Sequence, residues 1–267
     1  MVEIRRIIDV HAHIYPANIA EKACVTLENF YDNIFVMQQN GTIENLLLEC
    51  DKAKVEKVCV CSVATTPHQV PKINDWIASQ VSEHKDKVIG FGAIQQDYPE
   101  FEKEVERIID LGLKGIKIHP DYQQINADDM RLMRLYELCE GRLIILCHAG
   151  DIRYGYSNPK RIRNIIDTFP KLKLIAAHMG GYSEWDEARK YLYGRDVYID
   201  TSSTFVNLTS EMMAECIMEH RSDRVLFGTD SPLTTQSSEI MRIENLPLDA
   251  SIIDKIFYYN AAELLSI

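Results

Sequence analysis

Histidine, lysine and aspartate residues stand at the ends of five short stretches of this chain, and such side chains can bind a metal ion or transfer a proton. All but the first stretch follow an apolar, largely β-branched run, and each is followed by Gly, Pro or a polar break. This pattern is typical of buried strands whose last residues emerge into functional loops. It predicts a barrel with one metal site at its mouth. The stretches are Asp9-Val10-His11-Ala12-His13, Gly115-Ile116-Lys117-Ile118-His119, Cys147-His148-Ala149-Gly150, Ala177-His178-Met179-Gly180-Gly181 and Phe227-Gly228-Thr229-Asp230-Ser231-Pro232.

His11 and His13 form the strongest local signal for a metal site. Side chains two positions apart on a strand point to the same face, about 7 Å apart along the chain, so both imidazoles can bind one ion. Asp9 shares this parity and is a candidate support from the layer below. Two unrelated polar residues at a strand end are the alternative, and the other strand-end groups favour the metal site.

His148 and Asp230 also end apolar runs. Ala149 and Gly150 follow His148 and let the backbone approach the site closely. A lone histidine on a strand is usually a satisfied core residue, but its place in the barrel order predicts a ligand. An aspartate after a buried strand is costly unless it has a cation partner or transfers protons. The alternative for Asp230 is a helix N-cap or a turn.

His178, Lys117 and His119 are expected at the same rim. His178 either ligates the metal or hydrogen-bonds substrate and water, and the second role is the one we predict. Lys117 has three alternatives: a carbamylated lysine that bridges two metals, a cation that binds a substrate carboxylate, or one member of a structural pair with an acid. His119, on the same face, either contacts substrate or caps the turn at Pro120.

Arg153 and Tyr154, in the loop after the fifth strand, are weaker candidates for holding an anionic group of a substrate. A solvent-facing arginine is the commoner outcome for such a loop position. The sequence has no GxGxxG or Walker pattern after a strand, and no nucleophile elbow surrounds Ser62, Ser202 or Ser203. A phosphate-binding loop and serine hydrolysis are therefore not expected.

Apolar runs alternate with amphipathic helical patterns from end to end of the chain. The predicted strands are 4–10, 56–62, 88–93, 114–118, 142–147, 172–177, 196–200 and 223–227. The predicted helices are 42–53, 71–85, 99–111, 128–140, 159–168, 183–193, 208–219 and 249–264. This alternation allows a closed parallel barrel or a doubly wound open sheet. Because strands 1, 4, 5, 6 and 8 all carry site residues, the barrel is favoured over an open sheet, which collects its ligands at one switch point.

The predicted fold class is therefore α/β, a (β/α)8 TIM barrel formed as a single domain over residues 1–267. The sequence contains no internal repeat, low-complexity tract or linker. The stretch 14–41 is too short for a domain and is predicted to be an active-site insertion. The long polar connection 232–248 is predicted to form part of the wall of the site.

Composition and charge exclude several partners. The 267 residues are 46% hydrophobic and 26% charged, as in globular proteins. A net charge of −11 disfavours nucleic acid and an anionic membrane surface. No apolar run approaches the roughly 20 residues that span a bilayer, and the N-terminal stretch lacks a signal-peptide core. The seven cysteines lie mostly in apolar segments and predict reduced, buried thiols in a cytoplasmic protein; Cys59 and Cys61 lack the second pair of a zinc knuckle.

These motifs together resemble the amidohydrolase superfamily. The closest likeness is to its amidohydrolase-related branch (amidohydrolase 2), which includes metal-dependent hydrolases similar to aminocarboxymuconate-semialdehyde decarboxylase. The resemblance spans nearly the whole chain and includes three further stretches. The matching stretches beyond those quoted above are His119-Pro120, Val197-Tyr198-Ile199-Asp200-Thr201-Ser202 and Asn260-Ala261.

The resemblance implies that His11, His13, His148 and Asp230 bind one divalent metal, usually zinc, with manganese as the alternative. It also implies that His178 orients a metal-bound water or polarises the substrate. A second metal would require a carbamylated Lys117, as in other branches of the superfamily. A lysine at this position departs from the best-known decarboxylases. Many members of the family are dimers, so a homodimer is a candidate assembly.

Three functions follow from these residues. The main prediction is a hydrolase of a small, anionic, carboxylated substrate, an amide, lactone or ester, in which Asp230 accepts a proton from metal-activated water and His178 and Lys117 stabilise negative charge. The alternative is a non-oxidative decarboxylase of a carboxylated aromatic or enoic acid. A barrel that binds metal without catalysis is the third. The substrate itself is not readable from the sequence.

Overall fold

The computed structural model describes residues 5–205 and 207–267 and contains one sheet of eight parallel strands in the order of the sequence. Each strand pairs with the next one along the chain. This arrangement confirms the predicted α/β barrel. The strands are β1 (Ile8–His13), β2 (Lys57–Cys61), β3 (Val88–Ala93), β4 (Gly115–Ile118), β5 (Ile144–Cys147), β6 (Leu174–Ala176), β7 (Tyr198–Asp200) and β8 (Val225–Leu226).

Backbone hydrogen bonds between β1 and the segment after β8 close the barrel. The N–H of Val10 donates to the carbonyl of Phe227 at 2.9 Å, and the N–H of His13 donates to the carbonyl of Ser231 at 2.6 Å. Ala12 and Ser231 form a parallel bridge. The first strand and the segment after the last strand therefore meet at the predicted metal ligands.

Helices follow the strands and cover the outside of the barrel. They are α1 (Ala17–Phe30), α2 (Ile43–Lys52), α3 (Val70–Glu83), α4 (Phe101–Asp110), α5 (Pro120–Gln123), α6 (Met130–Cys139), α7 (Pro159–Thr168), α8 (Trp185–Tyr191), α9 (Ser210–Glu219), α10 (Gln236–Glu244), α11 (Ala250–Asp254) and α12 (Asn260–Leu265). A π-helical turn, Lys255–Tyr259, joins the last two. The start of α2 shows the sequence logic: the Thr42 side chain accepts a hydrogen bond from the N–H of Asn45, as an N-cap does.

The core has two layers, as alternating strand faces require. One layer lies inside the barrel, where Val10, Phe91 and Leu146 are buried, and α12 closes its N-terminal end. The other lies between the strands and the surrounding helices. The packed interior leaves the C-terminal ends of the strands as the open end of the barrel.

Three helices lie outside the predicted helical ranges: the four-residue α5 and the longer α1 and α10. The insertion 14–41 contains α1, whose Ala20 and Cys24 face the core, and the connection 232–248 contains α10, which Thr235 caps. The buried faces of α1 and α10 carry few large aliphatic residues, so both helices give a weak sequence signal.

The first strand also lies later in the chain than predicted. β1 extends to His13 because its histidines are buried inside the barrel rather than exposed. Residues 1–4, which include the first residue of the predicted strand 4–10, and residue 206 lie outside the described residues. No helix in the described part of the chain combines the length and apolar character that a membrane span needs.

Candidate metal centre

A cavity of about 800 Å³ opens at the C-terminal ends of the strands. The insertion 14–41 supplies part of its wall through α1 and neighbouring loop residues, and the connection 232–248 contributes Pro232 and Leu233, as the sequence predicted. Strand ends from both halves of the barrel contribute the polar residues of the cavity's deep end. These residues are His13, Lys117, His119, His148, His178 and Asp230.

His11, His13 and Asp230 converge on one point. The Nε2 atoms of the two histidines lie 3.2 Å apart. The Oδ1 atom of Asp230 lies 3.5 Å from Nε2 of His11 and 3.3 Å from Nε2 of His13. Two imidazoles and a carboxylate are a donor set that suits zinc, manganese or iron.

Each member of this trio is held by a further side chain. The Nδ1–H of His11 donates to Asp200 at 3.0 Å, so its Nε2 presents a lone pair to the cluster. The Cys61 thiol lies 3.7 Å from Nδ1 of His13. The Ser203 hydroxyl donates to Asp230 at 2.6 Å. Such outer contacts fix the orientation of metal ligands in proteins.

Burial and charge set the protonation of this cluster in the metal-free protein. Burial, together with the neighbouring Lys117, lowers the pKa of His11 to about 4. Burial would also lower the pKa of His13, but Cys61 and Asp230 raise it to about 9. Burial would raise the pKa of Asp230, yet the surrounding histidines hold it well below its ordinary value. The Asp230 carboxylate is therefore ionised, as a metal ligand must be.

Lys117 projects into the same cluster from β4. Its side chain is buried, and its Nζ lies 2.8 Å from Nε2 of His11. The amine therefore approaches the nitrogen that faces His13 and Asp230. The third alternative for Lys117 is a structural pair with an acid. Within the described residues no acid forms an ion pair with Lys117, which contacts His11 instead.

His148 and His178 form a hydrogen-bonded pair at the same end of the barrel. The Nδ1–H of His178 faces the carbonyl of Ser202 at 3.0 Å, so its Nε2 accepts from the Nδ1–H of His148, also at 3.0 Å. This leaves the Nε2 lone pair of His148 buried without a hydrogen-bond partner among the described residues. The carboxylate of Asp121 is 4.0 Å from that nitrogen.

The loops that carry these two histidines press against each other. A Cβ on Gly150 would lie 2.4 Å from the Cα of Gly181, which only glycine avoids. His178 itself has a φ of 60°, and so does Asp230 at 59°, in the left-handed region that costs a non-glycine residue energy. Tertiary packing holds both residues in these conformations.

The four predicted metal ligands thus fall into two groups at the same end of the barrel. His11, His13 and Asp230 share a point, whereas the nearest side chains to His148 are those of His178 and His119. The ring of His119 stacks on that of His148 with centroids 3.8 Å apart.

His119 caps the turn, which is one of the two roles left open by the sequence, and its ring also lines the cavity. Its Nδ1 accepts a hydrogen bond from the N–H of Tyr122, which caps α5. Its Nε2 therefore carries the proton and donates to the hydroxyl oxygen of Tyr31 at 3.0 Å. The hydroxyl hydrogen of Tyr31 is left to donate to another group in the cavity.

Arg153 and Tyr154 do not line the cavity, in contrast to the prediction. The Arg153 guanidinium donates twice to Asp151, at 3.0 and 2.7 Å, and once to the carbonyl of Phe30 at 2.8 Å. Tyr154 is half exposed and stacks on Phe30. Arg153 does not reach the cavity because its guanidinium donates to a buried carboxylate and to a carbonyl at the end of α1. These hydrogen bonds connect α1 to the loop after β5.

Sequence reasoning missed Asp200 and misplaced Asp9. Asp9 accepts hydrogen bonds from Thr229 at 2.7 Å and Gln236 at 3.1 Å, so it ties the β8 loop to α10 rather than supporting an imidazole. A register shift between Asp9 and Ala12 separates it from the histidine face. Asp200 is the last residue of β7, and the predicted ligands also stand at strand ends. This position is the sequence signal that could have identified Asp200 as a site residue.

The family model described as amidohydrolase matches residues 8–267, almost the whole chain. The chain belongs to the amidohydrolase family. This family assignment confirms the resemblance found in the sequence and makes the protein an enzyme of that superfamily.

Several relatives have known activities. The chain is 22% identical to gamma-resorcylate decarboxylase of Polaromonas sp. strain JS666 over 87% of this chain and 86% of the relative. The structure of 5-carboxyvanillate decarboxylase from Sphingomonas paucimobilis is similar with a TM-score of 0.77 and 16% identity, covering 99% of this chain and 100% of that one. A dihydroxybenzoic acid decarboxylase from Polaromonas sp. JS666, with bound manganese and the inhibitor 2-nitroresorcinol, has a TM-score of 0.77 and 18% identity, covering 98% and 97%. These likenesses confirm the barrel fold.

Proposed function

We propose that this amidohydrolase catalyses the metal-dependent, non-oxidative decarboxylation of an aromatic carboxylic acid. The observation that carries the proposal is the cavity: Tyr15, Tyr31, Tyr122 and other apolar side chains form a wall around a buried cluster of histidines, Lys117 and one carboxylate. An aromatic acid matches such a site, since its ring needs apolar contacts and its carboxylate needs cations.

The relatives favour this alternative over the main sequence prediction of hydrolysis. Those named above act on resorcylate, carboxyvanillate and dihydroxybenzoate. Hydrolysis has support at the level of the family. A barrel without catalysis fits poorly with an enzyme family.

The residues of the site fit a divalent ion. We propose His11, His13, His148 and Asp230 as its ligands, because the two Nε2 lone pairs of His11 and His148 are fixed by hydrogen bonds at Nδ1 and the second has no other partner among the described residues. Zinc and manganese both suit this donor set, and manganese occupies the related decarboxylase. The ion would act as a Lewis acid that polarises substrate oxygens.

The chain's own residues would orient the substrate and move the proton. The Lys117 amine would bind the substrate carboxylate or its neighbouring oxygen, and Tyr31 would donate a hydrogen bond from its free hydroxyl hydrogen. When the bond between the ring and the carboxylate breaks, its electron pair stays on the ring carbon, which takes up one proton as carbon dioxide leaves. Asp230 and His178 are the proposed proton carriers, with Asp230 the one carboxylate that lines the cavity among the described residues.

Product analysis tests the proposal. The protein, loaded with Mn²⁺ or Zn²⁺, is incubated with 2,6-dihydroxybenzoate, its 2,3-isomer and 5-carboxyvanillate, and carbon dioxide and the decarboxylated ring are measured. We expect release of both in equal amounts from at least one acid. Hydrolysis of ester or lactone substrates without carbon dioxide release from any acid would overturn the proposal in favour of the hydrolase.

Other properties stay predictions. They include a single domain over residues 1–267, one metal ion rather than two, an anionic small-molecule substrate and a homodimer in the cytoplasm. Metal analysis and light scattering on the purified protein would check the ion count and the assembly.

A further inference from the structure

The cavity is larger than a single-ring acid needs. Its volume is about 800 Å³, whereas a cavity of about 150 Å³ accommodates benzene. A dihydroxybenzoate bound at the deep end would leave most of the space unfilled. The remaining space therefore has to be explained by a longer ligand or by solvent.

The outer part of the cavity lies between α1 and α3, the helices that follow β1 and precede β3. We call this part the outer chamber and define it by Lys22 and Leu27 of α1 and Lys72, Ile73 and Trp76 of α3. Leucine, isoleucine and tryptophan provide apolar walls, and each helix adds one lysine. Apolar walls with a few polar groups at fixed places are the usual composition of a ligand site.

Charge in the cavity is opposite to charge in the whole chain. The chain carries 40 acidic and 29 basic residues. Among the described residues that line the cavity, Lys22, Lys72 and Lys117 face a single carboxylate, Asp230, which belongs to the metal centre. Within residues 5–205 and 207–267, Lys22 and Lys72 form no ion pair. Two solvent-exposed lysines, without an ion-pair partner among the described residues, thus border the apolar chamber.

We propose that the outer chamber binds a second carboxylate of the substrate. The substrate class is then an elongated dianion: an aromatic acid that reacts at the deep end, an apolar spacer along Leu27, Ile73 and Trp76, and a terminal carboxylate held by Lys22 and Lys72. The assignment of the reacting end rests on the proposed decarboxylase function. The assignment of the outer end rests on the chamber alone.

Synthetic probes separate the two ends. The Mn²⁺-loaded protein is titrated calorimetrically with salicylates that carry a carboxyalkyl tail of increasing length opposite the hydroxyl. The same compounds with the tail carboxylate converted to its methyl ester are titrated for comparison. At the tail length that reaches the chamber, we expect the diacid to bind at least about fivefold more tightly than its ester, as two partly exposed ion pairs allow. High salt should reduce this preference.

Variants identify the residues responsible. In the double variant K22Q/K72Q the preference for the diacid should fall below about twofold, while salicylate itself binds as in the wild type. The matched control is K160Q, since Lys160 is an exposed lysine on α7 that does not line the cavity. Equal binding of acid and ester at every tail length, or a preference that survives K22Q/K72Q, would overturn the proposal.

A second measurement covers a double variant that fails to fold. Because the diacid would bridge α1 and α3, it should slow amide hydrogen exchange in both helices of the wild-type protein, and the ester should not. Equal protection of both helices by the diacid and by the ester would contradict a carboxylate site in the outer chamber. A lysine-dependent preference without carbon dioxide release from any probe would retain the chamber and refute the decarboxylase.

Discussion

Replacing Asp200 by asparagine tests how the barrel prepares His11 for a metal. Asp200 is fully buried. Its Oδ2 accepts from the Nδ1–H of His11 at 3.0 Å, and its Oδ1 accepts from the backbone N–H groups of His178 at 3.1 Å and Ser202 at 3.0 Å. All of these partners are donors, so the amide of an asparagine has to place its own NH₂ against at least one of them.

The expected loss of metal affinity in D200N is large for a residue that touches no substrate. Although burial opposes ionisation, His11 and His178 lower the pKa of Asp200 to about 2, so the carboxylate is charged at neutral pH. D200N removes this charge and frees the His11 ring to change tautomer. Replacing an outer carboxylate of this kind typically lowers metal affinity about 10- to 100-fold, which corresponds to about 1.4 to 2.8 kcal/mol of binding free energy.

The assay is a titration of the metal-free protein with Mn²⁺ against a competing chelator, with circular dichroism as a check on folding. D151N is the matched control, because Asp151 is equally buried but pairs with Arg153 instead of a candidate ligand. We expect D151N to keep wild-type affinity. Unchanged affinity in D200N, or an equal loss in both variants, would refute the role assigned to Asp200.

Three further predictions concern other parts of the molecule. K117Q should reduce kcat/KM by about 10²- to 10³-fold through loss of charge stabilisation, while elemental analysis still finds one metal per chain; a fall from two metals to one would instead identify a carbamylated bridging lysine. D230N should abolish carbon dioxide release, and turnover within about tenfold of the wild type would remove Asp230 from proton transfer. Burial lowers the pKa of His220 to about 4, below its ordinary 6.5, although the hydrogen bond that its ring donates to the carbonyl of Val197 opposes this shift. As pH falls from 6.5 to 4 the unfolded chain binds a proton at His220 that the folded chain does not, so in urea titrations the wild type should lose up to about 3 kcal/mol more unfolding free energy than H220Q.

Much of the secondary structure was predictable because burial leaves a periodic trace in the sequence. The third strand, Val88–Ala93, and the helix Pro159–Thr168 lie where the sequence predicted them. The helix α1 was not recognised because its buried face consists of small residues, Ala20 and Cys24, whose pattern is weak. The strand-end rule placed His13, Lys117 and Asp230 correctly at the cavity for a related reason, since parallel strands end at one rim.

Individual contacts of the site were beyond the sequence. The sequence predicts Arg153 as a candidate for holding a substrate, but its guanidinium donates to Asp151, two residues away, and to Phe30, on an insertion more than a hundred residues earlier. Nothing local to Arg153 encodes the position of Phe30. The same argument applies to Asp9, which a register shift in β1 turns away from the histidines.

The sequence by itself determined the barrel, its family and the set of polar side chains at its mouth. These properties depend on local periodicity and on the order of strand ends, which are written along the chain. Tertiary structure alone decided which nitrogen of each histidine is available. His11 is oriented by Asp200 and His148 by His178. A hydrogen bond between residues so far apart in sequence forms only when the barrel closes and brings their side-chain atoms within about 3 Å of each other.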